Sequence, residues 1–233
     1  MRKWLIGGAA ALVTVLAVAA GLYVLMNSRT YQLAGRLVDR VATDEKLVAL
    51  TFDDGPTDRT PEILRTLAEL RVTGTFYLIG DNLAAHPDYG AAIAAAGHEI
   101  GNHSYTHRRM VLISGDTARE EVERTDAEIR RTGYQGEITF RPPYGKKLWS
   151  LPRYLSEHDR TTVTWDVEPD SAGGASRDAI VADTLAQTRP GSIVLLHVMH
   201  GGESLAALPA VVAGLRAQGY QFTTVSDLLK RTN

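Results

Sequence analysis

The 233-residue chain contains no cysteine. Disulfides, thiolate metal sites, cysteine nucleophiles and iron–sulfur clusters are therefore excluded, while the redox compartment stays open. Lysine is scarce, 5 residues against 20 arginines, and no run of like charge occurs. With 25 basic against 27 acidic residues and a formal net charge of −2, nothing marks a surface built to neutralise nucleic-acid phosphates, and no nucleic-acid partner is expected. The Arg-Arg pairs, Arg108-Arg109 and Arg130-Arg131, read as solvated positions. A composition of 44% hydrophobic and 22% charged residues sits near globular averages and excludes a disordered or collagen-like chain.

One segment departs from these averages. Arg2 and Lys3 precede residues 4–26, which carry no charge and would rise about 34 Å as a helix, enough for a bilayer core of about 30 Å. Ala17-Val18-Ala19 has the small-x-small form of a signal-peptidase site. The apolar run nevertheless continues to Met26, past the about 7–15 residues of a signal-peptide core, which favours an uncleaved anchor over a secreted product. The N-terminal basic flank then places the rest of the chain outside the cytoplasm, as a single-pass protein of the cell membrane. Residues 1–30 hold three basic groups and no acid, leaving 22 basic against 27 acidic groups beyond them, a net charge of −5. A juxtamembrane segment follows at 27–45, with an amphipathic pattern over 31–41, and one domain is expected over 46–233, as a monomer.

From residue 47 onward short apolar runs alternate with helical patterns, the signature of βα units. Seven strands are expected, at 47–52, 75–79, 98–101, 138–140, 161–165, 192–197 and 221–225. The helix after the first strand has Thr60 as a suitable N-cap and Pro61 at its first position. A second helix opens at Asp116 and stops at Gly133. Seven such units give an α/β fold, a barrel or else an open doubly wound sheet, and both put the active site beyond the carboxyl ends of the strands.

The residues at those ends carry the chemistry. The first strand runs into Asp53-Asp54-Gly55-Pro56, and adjacent carboxylates at close range ask for a cation. The third is followed by His103-Ser104-Tyr105-Thr106-His107, two histidines spaced to share one metal from one face of a helical turn. His98-Glu99 begins the His-Glu-x-x-His protease pattern, but the next histidine is five positions on, so that pattern fails and both residues read as structural. The fourth strand ends in Arg141-Pro142-Pro143-Tyr144-Gly145, where two prolines stiffen a turn that offers an arginine and a backbone donor. The sixth ends in His197; His200 beyond it reads as a loop residue, with substrate contact as the alternative. Two histidines and a carboxylate with an open position suit zinc-type hydrolysis but also non-haem iron chemistry, and a second carboxylate beside them argues for hydrolysis.

These segments resemble the motifs of the carbohydrate esterase family 4 polysaccharide deacetylases, the NodB-type homology domain, over about residues 46–229. Thr51-Phe52-Asp53-Asp54-Gly55-Pro56, His103 to His107, Arg141 to Gly145 and Leu195-Leu196-His197 correspond in order to the first, second, third and fifth motifs. The resemblance implies a distorted (β/α)7 barrel and one divalent metal, zinc by preference with cobalt, nickel or iron as alternatives. It implies Asp54, His103 and His107 as its ligands, Asp53 as general base held by Arg141, the Tyr144 N–H beside Pro143 as oxyanion donor, and His197 as general acid. The implied activity is removal of acetyl groups from N-acetylglucosamine residues of a polysaccharide or peptidoglycan. An acetyl-ester deacetylase and a catalytically silent carbohydrate-binding module are the alternatives. The fourth motif departs from the family pattern: the stretch from Trp165 to Ser171 has no Trp after its last Asp. Glu168 or Asp170 is left to tune the catalytic histidine.

Overall fold

The structure is a computed structural model that describes residues 2–170 and 174–231, with side chains described from residue 12. Its elements in chain order are α1 (Arg2–Asn27), β1 (Leu37–Val38), β2 (Leu47–Gly55), α2 (Thr60–Leu70), β3 (Thr75–Leu78), α3 (Gly80–Ala85), α4 (Pro87–Ala95), β4 (Glu99–Asn102), α5 (Gly115–Arg131), α6 (Ser150–Glu157), β5 (Thr162–Val163), α7 (Arg177–Gln187), β6 (Ser192–Leu196), α8 (Glu203–Ala217), β7 (Gln221–Thr223) and α9 (Val225–Leu229).

Among the described residues all strand ladders are parallel, as expected when helices cross back between consecutive strands. β6 pairs with β2 along Val48–Phe52, so β3, at Thr51–Gly55, and β7, at Leu47–Ala49, share the other edge of β2. β4 extends the sheet beyond β3. Single bridges continue the ring from Asn102 to Phe140, from Phe140 to Thr162 of β5, and from Val167 to Val194 of β6. The result is the expected α/β architecture with a parallel sheet.

Strand alternation sorts β2 between two cores. Val48, Leu50 and Phe52 pack with Ile63 and Leu67 of α2 and Leu208, Val211 and Val212 of α8. Ala49 faces inward with Tyr77, Val163, Trp165, Ile193 and Leu195. Thr51 and Asp53 continue that inward row, both buried, so the barrel interior turns polar toward the carboxyl ends of its strands.

Four expectations are corrected. The strand expected at 138–140 is reduced to the bridges at Phe140, because Pro142 and Pro143 supply no ladder donors. The seventh strand is instead β1, in the segment read as amphipathic. Its Leu37 and Val38 pair with β5. The helix expected from Asp116 starts one residue earlier, capped by the Ser114 hydroxyl, which accepts from the Thr117 N–H. Thr60 is the first residue of α2 rather than its side-chain cap. Its hydroxyl accepts from the Thr57 N–H instead.

α1 covers the expected span at 4–26, whose first residues have side chains outside the described set. Among the described residues no helix is long and apolar enough to cross a membrane.

Candidate active site and metal centre

Both carboxylates of Asp53-Asp54 reach one site because β2 is bulged. Asp53 pairs with Tyr77 and Gly55 with Leu78, so Asp54 is the extra residue, and its φ is 70°. In a regular strand neighbouring side chains point to opposite faces; a bulge re-aims one of them. Asp53 Oδ2 and Asp54 Oδ1 accordingly lie 3.6 and 3.4 Å from His103 Nε2. His107 Nε2 is 2.9 Å from the same Asp54 oxygen.

The two histidines do not sit on a helical turn, contrary to the expectation from their spacing. Residues 103–107 are irregular, with Ser104 (φ 65°) and His107 (φ 54°) in the left-handed region. Asn102, the last residue of β4, accepts the Ser104 N–H on its Oδ1 at 2.8 Å. Glu121 of α5 accepts the N–H groups of Tyr105 and Thr106 and the Thr106 hydroxyl. These bonds fold the loop until the imidazole centroids are 5.0 Å apart. Among the described residues, four of the seven left-handed non-glycine residues, Asp54, Ser104, His107 and Tyr144, belong to this site. Such conformations cost about 1–3 kcal/mol each and persist only where surrounding bonds fix them.

Arg141 is fully buried and ties the polar row together. Its Nη1 donates to Asp53 Oδ1 and to Thr51 Oγ1, both at 2.7 Å, and its Nη2 to the Thr164 carbonyl at 3.0 Å. The guanidinium lies 4.0 Å from the centroid of the Tyr77 ring. Gly101 lets that ring sit where it does, since a Cβ there would come within 2.4 Å of it. The Arg141 carbonyl accepts from His103 Nδ1–H at 2.7 Å, which fixes the tautomer whose Nε2 lone pair faces the carboxylates. Pro143 to Gly145 form a 3-10 turn with Tyr144 at φ 59°, its ring 4.8 Å from that of His107.

The two acids proposed for the fourth motif separate. Asp170 holds His197, accepting from its ring Nδ1 at 3.0 Å and its backbone N–H at 2.7 Å, and takes a third bond from Ser204 Oγ. Glu168 turns away to the Trp165 indole N–H at 2.8 Å and to Arg29. Burial alone would lower the His197 pKa, but the Asp170 hydrogen bond and the charges of Asp53, Asp170 and Asp54 push it up to about 9. Burial likewise opposes ionisation of Asp54, yet the imidazoles of His103, His107 and His200 hold its carboxyl far below the usual range. His103 is raised: burial works against its charge, and Asp53 and Asp54 outweigh burial.

Asp54, His103 and His107 each offer one ligand atom within 4.8 Å of the others. Asp54 Oδ1 is buried with no hydrogen-bond donor, although two imidazole nitrogens point at it. An orphaned carboxylate oxygen facing two Nε2 atoms is a donor set that fits a divalent cation. Three residues missed by sequence reasoning complete the surroundings. His200 is no bystander in a loop: its Nε2–H donates to Asp54 Oδ2 at 2.8 Å. Asn27 and Arg29 line the same groove of about 490 Å³. No local sequence signal marks them, since their partners around the groove, Asp54 for His200, Lys146 for Asn27 and Glu168 for Arg29, are 119 to 146 residues away.

A barrel-like parallel fold that gathers two acids, two histidines and a charge-paired histidine at its strand ends defines a metal-dependent hydrolase. Comparison with known proteins makes it more specific. Residues 40–163 match the polysaccharide deacetylase family, and the chain belongs to that family. It is 34% identical over 187 residues to a peptidoglycan-N-acetylglucosamine deacetylase of Bacillus cereus, covering 78% of this chain and 68% of the relative. It is 31% identical to a chitooligosaccharide deacetylase of Rhizobium leguminosarum bv. trifolii, covering 80% and 94%. The crystal structure of the Bc1960 peptidoglycan N-acetylglucosamine deacetylase superposes with a TM-score of 0.79 at 31% identity, covering 84% of this chain and 94% of that one.

Proposed function

We propose that this protein hydrolyses the N-acetyl group of N-acetylglucosamine residues in peptidoglycan or a chitin-type oligosaccharide. One observation carries the proposal: a base candidate and an acid candidate, each locked by its own ionic partner, line one groove with Asp54, His103 and His107. Those three residues would hold a divalent ion, zinc in the first instance, which supplies Lewis-acid activation of water and of the acetyl carbonyl. Asp53, its Oδ1 fixed by Arg141, takes the proton from the attacking water. The Tyr144 N–H, in its stiff turn after Pro143, stabilises the oxyanion. His197, charged at neutral pH and held through Nδ1 by Asp170, gives its Nε2 proton to the departing amine, a leaving group that needs one.

That charged histidine favours an amide over an acetyl ester, whose alkoxide leaves more readily. A silent carbohydrate-binding module would not need both locked pairs. Acetate release by metal-replete protein from N-acetylated peptidoglycan, chito-oligosaccharides and O-acetylated xylan tests the three against one another. Release from the N-acetylated glycans, lost in Asp53→Asn, is expected. Release from xylan alone would establish the ester activity, and no release from any of them the silent module.

We further propose that residues 4–26 anchor the enzyme in the cell membrane with the catalytic domain outside the cytoplasm. The apolar side chains of Leu12, Val13, Val15, Leu16 and Val18 are exposed on α1, as a helix that leaves its domain for lipid requires. The protein is expected in the membrane fraction and cleavable by external protease. Recovery of a shortened soluble chain from the medium would instead favour signal-peptide cleavage.

A further inference from the structure

We propose that Asn27 and Arg29, which follow the N-terminal helix, form a substrate-positioning wall of the catalytic groove, so that glycan binding depends on a segment outside the family's matched region. This rests on the deacetylase function proposed above. Both residues line the groove that contains Asp53 and His197, whereas the family match begins only at residue 40.

The segment is fastened where the catalytic loops emerge. The Lys147 N–H donates to the Met26 carbonyl at 3.3 Å, and its buried ammonium donates to the Ser28 carbonyl. Lys146 Nζ donates to Asn27 Oδ1. The Arg29 carbonyl accepts from Thr164 Oγ1 at 2.6 Å, beside the Thr164 carbonyl that receives Arg141. Arg29 Nη1 then reaches Glu168 Oε2 at 3.3 Å, and its guanidinium lies 5.7 Å from the Trp165 ring centroid. The Trp165 indole N–H donates to the same Oε2 at 2.8 Å.

The wall is thus polar and cationic beside Trp165 and Glu168 of the fourth motif. The Arg29 side chain is 47% exposed and carries five N–H donors in a rigid fork, of which only Nη1 is committed to Glu168. Hydroxyl and acetamido oxygens of a sugar flanking the one being deacetylated are the acceptors this wall suits. Acting on a flanking sugar, the wall should affect binding of long substrates and leave chemistry alone.

The test uses full-length Arg29→Ala, Arg29→Lys and Asn27→Ala proteins with neutral chito-oligosaccharides of two to five units. For Arg29→Ala, KM for the pentamer should rise about tenfold with kcat within about twofold, as expected for loss of binding shared by ground and transition states. KM for the dimer should not move, Arg29→Lys should recover part of the loss, and Asn27→Ala should show a smaller rise. Calorimetric binding of the pentamer to Asp53→Asn protein, with and without Arg29→Ala, reads the same contact without turnover. An unchanged pentamer KM and Kd overturn the wall while leaving the deacetylase function standing, as does an equal fall in kcat at every length. Pentamer binding that weakens about tenfold without acetate release by the wild type would support the wall and overturn the deacetylase function.

Discussion

A buried histidine flanks strand β4 at each end, and the two ends behave oppositely. At its start, His98 accepts the Gly74 N–H on Nδ1 at 3.2 Å and packs against Phe76; burial holds its pKa down at about 4. Its neighbour Glu99 is fully engaged, accepting from the Ser226 N–H, the Ser226 hydroxyl and the Thr75 hydroxyl. Just past the other end, His103 is equally buried, yet it faces two carboxylates, one with an oxygen that has no donor. Residue type and burial are shared, so neither distinguishes structure from function here. Local satisfaction does: the amino end is closed on itself, whereas the carboxyl end leaves Asp54 Oδ1 buried without a donor in the groove where a cation is proposed. Cavity size also misleads, because the cavity beside His98, at about 600 Å³, exceeds the catalytic groove at about 490 Å³.

Substitutions at the two ends should therefore separate cleanly. Asp53→Asn or His103→Ala should lower acetate release by about a thousandfold or more, and His103→Ala should also abolish tight zinc binding. His98→Gln, which keeps an acceptor for the Gly74 N–H, should leave turnover near wild type. A comparable loss in His98→Gln would break the contrast.

The next effect is on stability, at the amino end alone. His98 has a lowered pKa, so between its unfolded value near 6.5 and about 4 the unfolded chain binds a proton that the folded one refuses. Stability from this group is therefore full above pH 6.5 and falls as pH drops toward 4, by about 3 kcal/mol. Urea titrations at pH 7 and pH 4.5 should show a shallower acid loss in His98→Gln. Parallel losses would mean that carboxylates elsewhere set the acid limit.

Smaller again is the pH response of catalysis. In the proposed mechanism His197 is the charged acid, so activity should fall as pH rises through about 9. Asp170→Asn removes the strongest upward influence and should carry this alkaline limb toward the ordinary histidine value, costing about 30-fold at pH 8.5 but much less at pH 6. A limb that stays in place would assign it to another group.

The sequence shows much of the carboxyl end, because strand-terminal Asp, His and Arg residues stand beside apolar runs whose period is readable. It hides what depends on distant partners. The left-handed bulge that lets Asp53 and Asp54 share a site leaves no local trace, and neither does the Glu121 contact that folds residues 103–107 without a helix. Glu168 and Asp170 are equivalent in sequence, and only the approach of Trp165 and Arg29 to one, and of His197 and Ser204 to the other, separates them. The strand expected at 138–140 failed where prolines outweighed an apolar run. β1 was missed because two residues hold too little pattern.

His200 offers the finest test of the contrast. Its Nε2–H engages Asp54 Oδ2 at 2.8 Å, while Oδ1 faces His103 and His107, so the two carboxylate oxygens have separate duties. Removing the donor frees the carboxylate to rotate and leaves the three ligand residues in place. Partners of this outer kind typically change metal affinity by about 10–100-fold, and the 63% exposure of the His200 side chain puts it at the low end, since water can replace its hydrogen bond. His200→Ala should therefore bind zinc about tenfold more weakly in competition with a chelator, and His200→Gln, which can still donate, should lie between it and wild type. If all three proteins bind zinc alike, Asp54 is oriented by the bulge of β2 alone. The carboxyl end of the barrel would then resemble the amino end more than the distances suggest, with its geometry set by backbone and the imidazole incidental.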